Sequence, residues 1–202
     1  MIYVALLKGI NVGGHQPVAM ADLRSMLTAL RFENVRSLLQ SGNLVFEAPK
    51  RKPFDLERDL EAEARRRLRL DRTIMVRTAA EWLRLVADNP FPREAARDPA
   101  RMTVTFLKSA PSAARIAALE RVMTGPETAR VIGPHAYIWY PEGIGRSALA
   151  GTVVEKALDT AGTNRNWNTI FEAFGDAAMT PFGQRSASEP RDRSEPSKRG
   201  SG

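Results

Sequence analysis

Two segments that combine glycine with polar side chains are the first candidates for chemistry. Residues 9–14 follow a short apolar run, and residues 40–43 lie some thirty positions further along the chain. Glycine lets backbone N–H groups approach a ligand closely, and free N–H groups at the start of a helix favour anions. The candidate ligand-binding residues in these segments are Gly9, Asn11, Gly13, Gly14, Gln40, Ser41 and Asn43.

The spacing of these glycines leaves two interpretations open. It lacks the fingerprint of a dinucleotide-binding turn, and neither Gly-Lys-Thr nor Gly-Lys-Ser of a P-loop follows. The segments therefore indicate either a site for a phosphate or carboxylate, or turns in which Asn11 and Asn43 only cap backbone groups.

Two later segments repeat this composition in front of predicted helices. Residues 140–147 hold two glycines, an arginine and a serine, and residues 165–169 hold an arginine, two asparagines and a tryptophan. Both could bind an anion, but the serine could serve only as a cap and the second arginine only in an internal ion pair. The candidates here are Arg146, Ser147, Arg165, Asn166 and Asn168.

Catalytic candidates are few. The chain has no cysteine, which excludes a disulfide, a thiolate nucleophile and a thiolate metal site. His15 lies in a polar loop and could titrate near neutral pH, and Glu142 could act as a base. His135 falls in a predicted hairpin turn, where we expect it to be exposed. No triad, metal-ligand spacing or cofactor motif is recognisable.

Hydrophobic periodicity predicts that two similar units position these residues. The first has the order β-α-β-β-α-β of a ferredoxin-like unit. Its predicted strands are 2–8, 35–39, 44–46 and 73–76, and its helices are 19–31 and 54–70. A linking helix, 80–88, precedes a second unit without an obvious last strand. That unit has strands 102–107, 130–132 and 137–140, helices 112–123 and 152–160, and a closing helix 167–177.

The sequence thus predicts an α+β fold with two ferredoxin-like subdomains and a C-terminal helix. The expected divisions are a first subdomain, a linking helix with a proline-rich connection, a second subdomain and a disordered tail, at 1–78, 79–100, 101–178 and 179–202. In a ferredoxin-like unit, the first strand ends at the same sheet edge as the hairpin between the second and third strands. We therefore expect Asn11 and Asn43 to be neighbours.

Charge and hydropathy narrow the classes of partner. The net charge is +7, of which residues 183–202 supply +2 and the remaining body +5. This excess favours an anionic partner, either a phosphate-bearing small molecule or a nucleic acid. Base stacking as in RNA-recognition domains is disfavoured, because only Tyr3 and Phe46 supply rings on the central strands. Without a bilayer-length apolar run or a secretory signal, we expect a cytoplasmic protein with no membrane partner.

The tail should not contribute to folding. Residues 183–202 contain one alanine among polar, charged, glycine and proline residues, so they offer no apolar anchor. Truncation after residue 182 is expected to leave the melting temperature nearly unchanged in a thermal unfolding scan. A fall of many degrees would show that the tail docks on the body.

Taken together, these segments resemble the bacterial domain-of-unknown-function family 1697. The matching residues are 5–14, 23–24, 40–43, 89–92, 140–147 and 165–169. The resemblance spans nearly all of residues 1–178 and implies a two-part α+β protein with ferredoxin-like pieces, but no activity. Ala148 stands where the family pattern leads us to expect a lysine. If that lysine contacts a ligand in relatives, the site of this chain differs.

Three classes of function follow from the sequence. The first is binding of a phosphate-bearing anionic ligand, a nucleotide or a nucleic-acid backbone, through the glycine segments and Arg146 or Arg165. The second is an enzyme acting on a small anionic substrate, with His15 or Glu142 as acid or base. The third is a protein–protein adaptor.

Overall fold

The computed structural model describes residues 1–10, 18–38, 42–149 and 151–178, with side chains in the last helix described as far as residue 173. Its strands are β1 (Ile2–Leu7), β2 (Glu33–Leu38), β3 (Asn43–Glu47), β4 (Ile74–Thr78), β5 (Met102–Leu107), β6 (Thr128–Ile132), β7 (His135–Trp139) and β8 (Gly162–Asn166). Its α-helices are α1 (Met20–Ala29), α2 (Pro53–Leu68), α3 (Ala79–Ala87), α4 (Pro92–Arg97), α5 (Ala113–Val122), α6 (Gly151–Leu158) and α7 (Trp167–Ala178). A short 3-10 helix, Ile144–Arg146, precedes α6.

The strands form two four-stranded antiparallel sheets. The orders are β2-β3-β1-β4 and β6-β7-β5-β8, so the same arrangement occurs twice. Each sheet carries flanking helices, and α7 closes the described chain. The predicted α+β fold with two ferredoxin-like subdomains is confirmed.

Alternation along the central strands explains how the layers pack. In β1, Ala5 and Leu7 face a core formed with α1 and α2, whereas Val4 and Leu6 face the second sheet. In β5, Val104 and Phe106 meet them in that shared core, which α3 and α7 help to fill. The second sheet buries its other face under α5 and α6. The two sheets are therefore joined by one continuous apolar layer.

One strand and one α-helix were not predicted from the sequence. The second unit does have its last strand, because β8 pairs with β5 from Gly162 to Asn166. Its sequence, Gly-Thr-Asn-Arg-Asn, lacks the apolar alternation that marks a strand, so tertiary pairing overrides local propensity. The helix α4 was also missed, since the segment is short and begins at a proline.

Each half of the molecule donates hydrogen bonds from one arginine side chain to the other half. Arg77, in β4 of the first sheet, donates from Nη2 to the carbonyl of Leu107 in β5 at 2.7 Å. Arg165, in β8 of the second sheet, donates from Nη2 to the carbonyl of Leu7 in β1 at 2.9 Å. These arginines occupy equivalent register positions, opposite Val4 and Val104. Such reciprocity is the signature of an approximate two-fold relation between the halves.

The helices that follow these edge strands meet in the shared core. Trp82 of α3 donates from Nε1 to the carbonyl of Ile170 in α7 at 3.2 Å. Trp167, at the start of α7, is only 4% exposed and packs in this shared core. None of the helices in the described ranges combines the length and apolar character that a bilayer span requires.

Candidate functional site

The end of β1 and the β2–β3 hairpin meet as predicted. Leu7 donates from its backbone N–H to the carbonyl of Gly42 at 3.0 Å. Gly42 has a φ of +71°, and a Cβ there would lie 3.1 Å from the side chains of Leu7 and Ile10, so this close approach requires glycine. The proximity of the two segments is confirmed by the contact of Gly42 with Ile10. The other candidates, Asn11, Gly13, Gly14, Gln40 and Ser41, lie outside the described residues, as does His15.

A cleft of about 320 Å³ opens where β1 ends beside β8 and the first turn of α7. It therefore draws on both halves of the molecule. Its lining residues are Leu7, Gly9, Ile10, Thr163, Asn164, Arg165, Asn166 and Thr169. Gly9 has a φ of +64°, and a Cβ there would meet no atom within 4 Å, so the backbone at this point faces open space.

Arg165 forms the floor of this cleft and links the two sheets. Its side chain donates from Nε to Asn43 Oδ1 at 2.6 Å and from Nη1 to Thr163 Oγ1 at 2.7 Å. The residue is 8% exposed, and burial lowers the pKa of its guanidinium to about 10, so it stays charged at neutral pH. Arg165 is therefore both a structural strut and a fixed positive charge.

Asn164 presents hydrogen-bonding groups at the open edge of β8. The backbone N–H of Lys108 donates to the carbonyl of Ala161 at 2.9 Å, so these two residues form a hydrogen-bonded pair of the antiparallel ladder. Such pairs recur at every second residue. Asn164, three residues after Ala161, therefore points its backbone N–H away from β5. Within the described residues, neither this N–H nor the side-chain amide has a hydrogen-bond partner. The Oδ1 of that amide is buried and has no hydrogen-bond partner among the described residues.

The equivalent edge in the first half is filled by acidic side chains. Val76 donates from N to Glu57 Oε1 at 2.8 Å, and Ile74 donates from N to Glu61 Oε1 at 2.9 Å. Lys108 lies between these carboxylates, 2.9 Å from Glu57 Oε2 and 2.7 Å from Glu61 Oε1. The open cleft at β8 is thus a real difference between two otherwise equivalent edges.

Of the remaining candidates in residues 165–169, Asn166 caps a helix and Asn168 is exposed to solvent. Asn166 Oδ1 accepts hydrogen bonds from the N–H and the hydroxyl of Thr169, both at 2.9 Å, and so caps α7. Asn168 lies one residue into α7 and is exposed. It does not line the cleft, whereas Asn166 does.

Arg146 and Ser147 lie apart from the cleft. Arg146 ends the 3-10 helix and is exposed. Ser147 donates from Oγ to Glu127 and accepts from the N–H of Leu149 at 2.9 Å, which gives it a local structural role. The structure therefore brings together Gly9, Asn43, Arg165 and Asn166 and separates them from this second group. Glu142 is exposed in the same loop.

His135 is not exposed, contrary to the sequence prediction. It begins β7 opposite Phe106, is 8% exposed, and accepts a hydrogen bond on Nε2 from Nε of Arg77 at 3.0 Å. The hairpin turn is shorter than predicted, so the histidine falls inside the strand. Since arginine can only donate, the neutral ring must carry its hydrogen on Nδ1.

Burial and the neighbouring Arg77 lower the pKa of His135 to about 3, far below the value of about 6.5 expected in the unfolded chain. The stability that this neutral imidazole contributes is complete above pH 6.5 and is lost as the pH falls toward 3. Between pH 7 and pH 5 we expect the free energy of unfolding to fall by about 2 kcal/mol from this group. Urea denaturation at these pH values measures the slope.

His135→Asn is the matched control for that slope. Asn43 occupies the equivalent register position in the first half and accepts the equivalent arginine hydrogen bond, so asparagine fits the role without titrating. The variant should lose much less stability between pH 7 and pH 5. An equal loss in both proteins would assign the pH dependence to carboxyl groups elsewhere.

The family comparison covers the segments of the resemblance up to residues 89–92, while residues 140–147 and 165–169 lie beyond the matched range. A family model described as "Protein of unknown function (DUF1697)" matches residues 1–137, which is more than half of the chain. The chain belongs to the DUF1697 family. Comparison with curated proteins gives no match.

A solved structure extends the fold comparison for this DUF1697 member. It is described as the structure of conserved bacterial protein SP0830 from Streptococcus pneumoniae. The sequences are 24% identical, the match covers 87% of this chain and 97% of that chain, and the TM-score is 0.68. At this identity the similarity establishes the shared fold alone.

Sequence reasoning missed Asn164, Thr163 and Thr169 as lining residues. A repeated sequence pattern could have revealed them. An arginine followed by a polar residue, Arg77-Thr78 and Arg165-Asn166, comes immediately before a helix at equivalent places in the two units. Aligning the repeats would have placed Asn164 on an edge strand. No cluster of histidine and acidic side chains suited to a metal ion occurs in the described ranges.

Proposed function

We propose that this protein binds a small anionic molecule, bearing a phosphate or a carboxylate, in the cleft between the end of β1 and the open edge of β8. The observation that carries the proposal is the backbone N–H of Asn164. It points away from its own sheet beside the cleft, and no described residue accepts its hydrogen bond.

The electrostatics of the cleft support an anion. The buried guanidinium of Arg165 lies at its floor, and a fixed charge in surroundings of low dielectric acts more strongly than one in water. The cleft also meets the first turn of α7, a helix of twelve residues whose N-terminus favours negative charge. The described lining contains no carboxylate that would oppose this field.

The same lining favours binding over catalysis and over a polymer ligand. Its described side chains include no histidine, aspartate, glutamate or lysine that could transfer a proton. Arg65, Arg66 and Arg67, the most basic run of the body, pair with Asp71 and Glu63 on an exposed helix face. A nucleic-acid backbone would need such a run to be available, so we favour a small molecule.

Two variants at one position test the proposal. Proline at 164 removes the outward N–H but no ladder hydrogen bond, because this edge of β8 is unpaired. Alanine at 164 keeps the N–H and removes only the side-chain amide. We expect Asn164→Pro to weaken binding of phenyl phosphate or benzoate at least tenfold by calorimetric titration, since a charge-assisted hydrogen bond is lost. Asn164→Ala should weaken it less.

Arg146→Ala is the matched charge control. It removes one exposed positive charge at a distance from the cleft, so affinity should change little at moderate salt. If neither anion binds the parent protein, or if Arg146→Ala weakens binding as much as Asn164→Pro does, the cleft is not the site.

A further inference from the structure

The first half of the molecule shows what the equivalent edge holds when it is filled. Glu57, which is buried, places Oε1 2.8 Å from the backbone N of Val76 and 3.7 Å from Nη1 of Arg77. The same Nη1 donates to the carbonyl of Val76 at 2.8 Å. A single carboxylate oxygen, Glu57 Oε1, thus accepts a hydrogen bond from one backbone N–H and lies beside one guanidinium.

The second half repeats this pair of donors. Asn164 lies opposite Thr105 as Val76 lies opposite Ala5, and the two arginines are equivalent in register. Arg165 donates from Nη1 to the carbonyl of Asn164 at 2.8 Å, which is the distance found for Arg77 and Val76. The geometry of the donors is therefore conserved between the two edges within one chain.

The helix of the second half does not supply the matching acid. α6 has eight residues where α2 has sixteen. Its Glu155 forms an ion pair with Lys8, the counterpart of the pair between Glu57 and Lys108. In the described part of the chain, no hydrogen bond joins Glu155 to the N–H of Asn164, as one joins Glu57 to the N–H of Val76. The cleft lies at this position.

From this internal comparison we infer that the ligand of the cleft is a carboxylic acid, which places one carboxylate oxygen on the N–H of Asn164 beside Arg165 as Glu57 does on Val76. The inference rests on the proposed function and narrows its ligand class. A carboxylate has two oxygens, which for Glu57 accept hydrogen bonds from the N–H of Val76 and from Nζ of Lys108, whereas a phosphate presents three oxygens that each need a donor. A desolvated oxygen without a donor lowers affinity.

A matched set of three probes tests this inference on the complete parent protein. Benzoate, phenyl phosphate and benzamide share one ring and differ in the polar group. We expect benzoate to bind at least tenfold more tightly than phenyl phosphate, and benzamide to bind no more tightly than phenyl phosphate, in calorimetric titrations at equal ionic strength. Truncation after residue 182 removes three acidic side chains and should leave the benzoate affinity unchanged, because the expected site uses only residues of the body.

The outcomes separate this inference from the proposed function. Equal or tighter binding of phenyl phosphate overturns the carboxylate assignment and leaves the anion site standing. Binding of benzamide as tight as that of benzoate shows that the ring, not the carboxylate, is recognised, and overturns the inference. Absence of binding by both anions overturns the inference together with the proposed function. If the affinity for benzoate is unchanged in Asn164→Pro, the carboxylate binds elsewhere, and the inference is wrong.

Discussion

Replacing Arg165 by methionine is expected to lower the free energy of unfolding by about 3–5 kcal/mol. The guanidinium satisfies Asn43 Oδ1, Thr163 Oγ1 and the carbonyl of Leu7 at the junction of the two sheets. Methionine keeps much of the volume but leaves these buried groups without their donor, and each such loss costs about 1–3 kcal/mol. Urea denaturation followed by circular dichroism measures the change.

The reciprocal arrangement supplies a companion and a control for this result. Arg77→Met breaks the equivalent link to Leu107 and His135 and also removes the guanidinium beside the buried carboxylate of Glu57, so its effect should be at least as large. Arg146→Met changes an exposed arginine and should stay within about 0.5 kcal/mol of the parent protein. A loss below about 1 kcal/mol for Arg165→Met would mean that the apolar layer alone holds the sheets together.

Replacing Trp167 by alanine is expected to cost about 3–5 kcal/mol. Its ring is 4% exposed and packs in the layer between the sheets, together with Ile170 and Ala173 of the same helix. Alanine leaves a cavity at the junction of α7 with both sheets, and surrounding side chains collapse into such cavities only in part. Thermal or urea unfolding gives the magnitude.

Phe171 is the matched control on the same helix. It carries an aromatic ring of similar size, contacts Trp167 edge-to-face with centroids 5.6 Å apart, and is 49% exposed. Phe171→Ala should therefore cost much less than Trp167→Ala. Equal costs would contradict the assignment of Trp167 as the anchor and Phe171 as a surface ring.

The architecture could be predicted because the apolar patterns are local and strong. The apolar run at residues 102–107 predicted β5 with its observed bounds, and periodicity over residues 19–31 predicted α1, which buries Met20, Leu23 and Leu27. The β-α-β-β order then implied that the end of β1 meets the β2–β3 hairpin, which Leu7 and Gly42 confirm. These results follow from chain topology and need no side-chain contact to be known.

The site was predicted less well because its key interactions are non-local and polar. β8 forms through pairing with β5, although nothing in its own sequence favours a strand over a loop. The sequence suggested Arg165 as an anion ligand or as half of an ion pair, and the structure shows a strut bonded to Asn43, 122 residues away. The burial of His135 likewise depends on Arg77, which comes from the other half.

Arg146 lies apart from the cleft for a related reason. Similar composition in front of predicted helices does not imply proximity, because the topology places Ser147 and Arg146 beyond the end of β7 and the cleft beyond the end of β1. Only comparison of the two units, position by position, shows that Asn164 takes the place of Val76.

The most direct test of the anion site is the amide resonance of Asn164 in the ¹⁵N-labelled protein, titrated separately with benzoate and with phenyl phosphate. We expect a saturable shift of this amide with at least one of the two anions, accompanied by shifts of Gly9 and Ile10 in the same cleft. The amide of Val76, which already donates to Glu57, should stay in place. An unmoved Asn164 amide, or shifts confined to Arg146 and Ser147, would contradict the account.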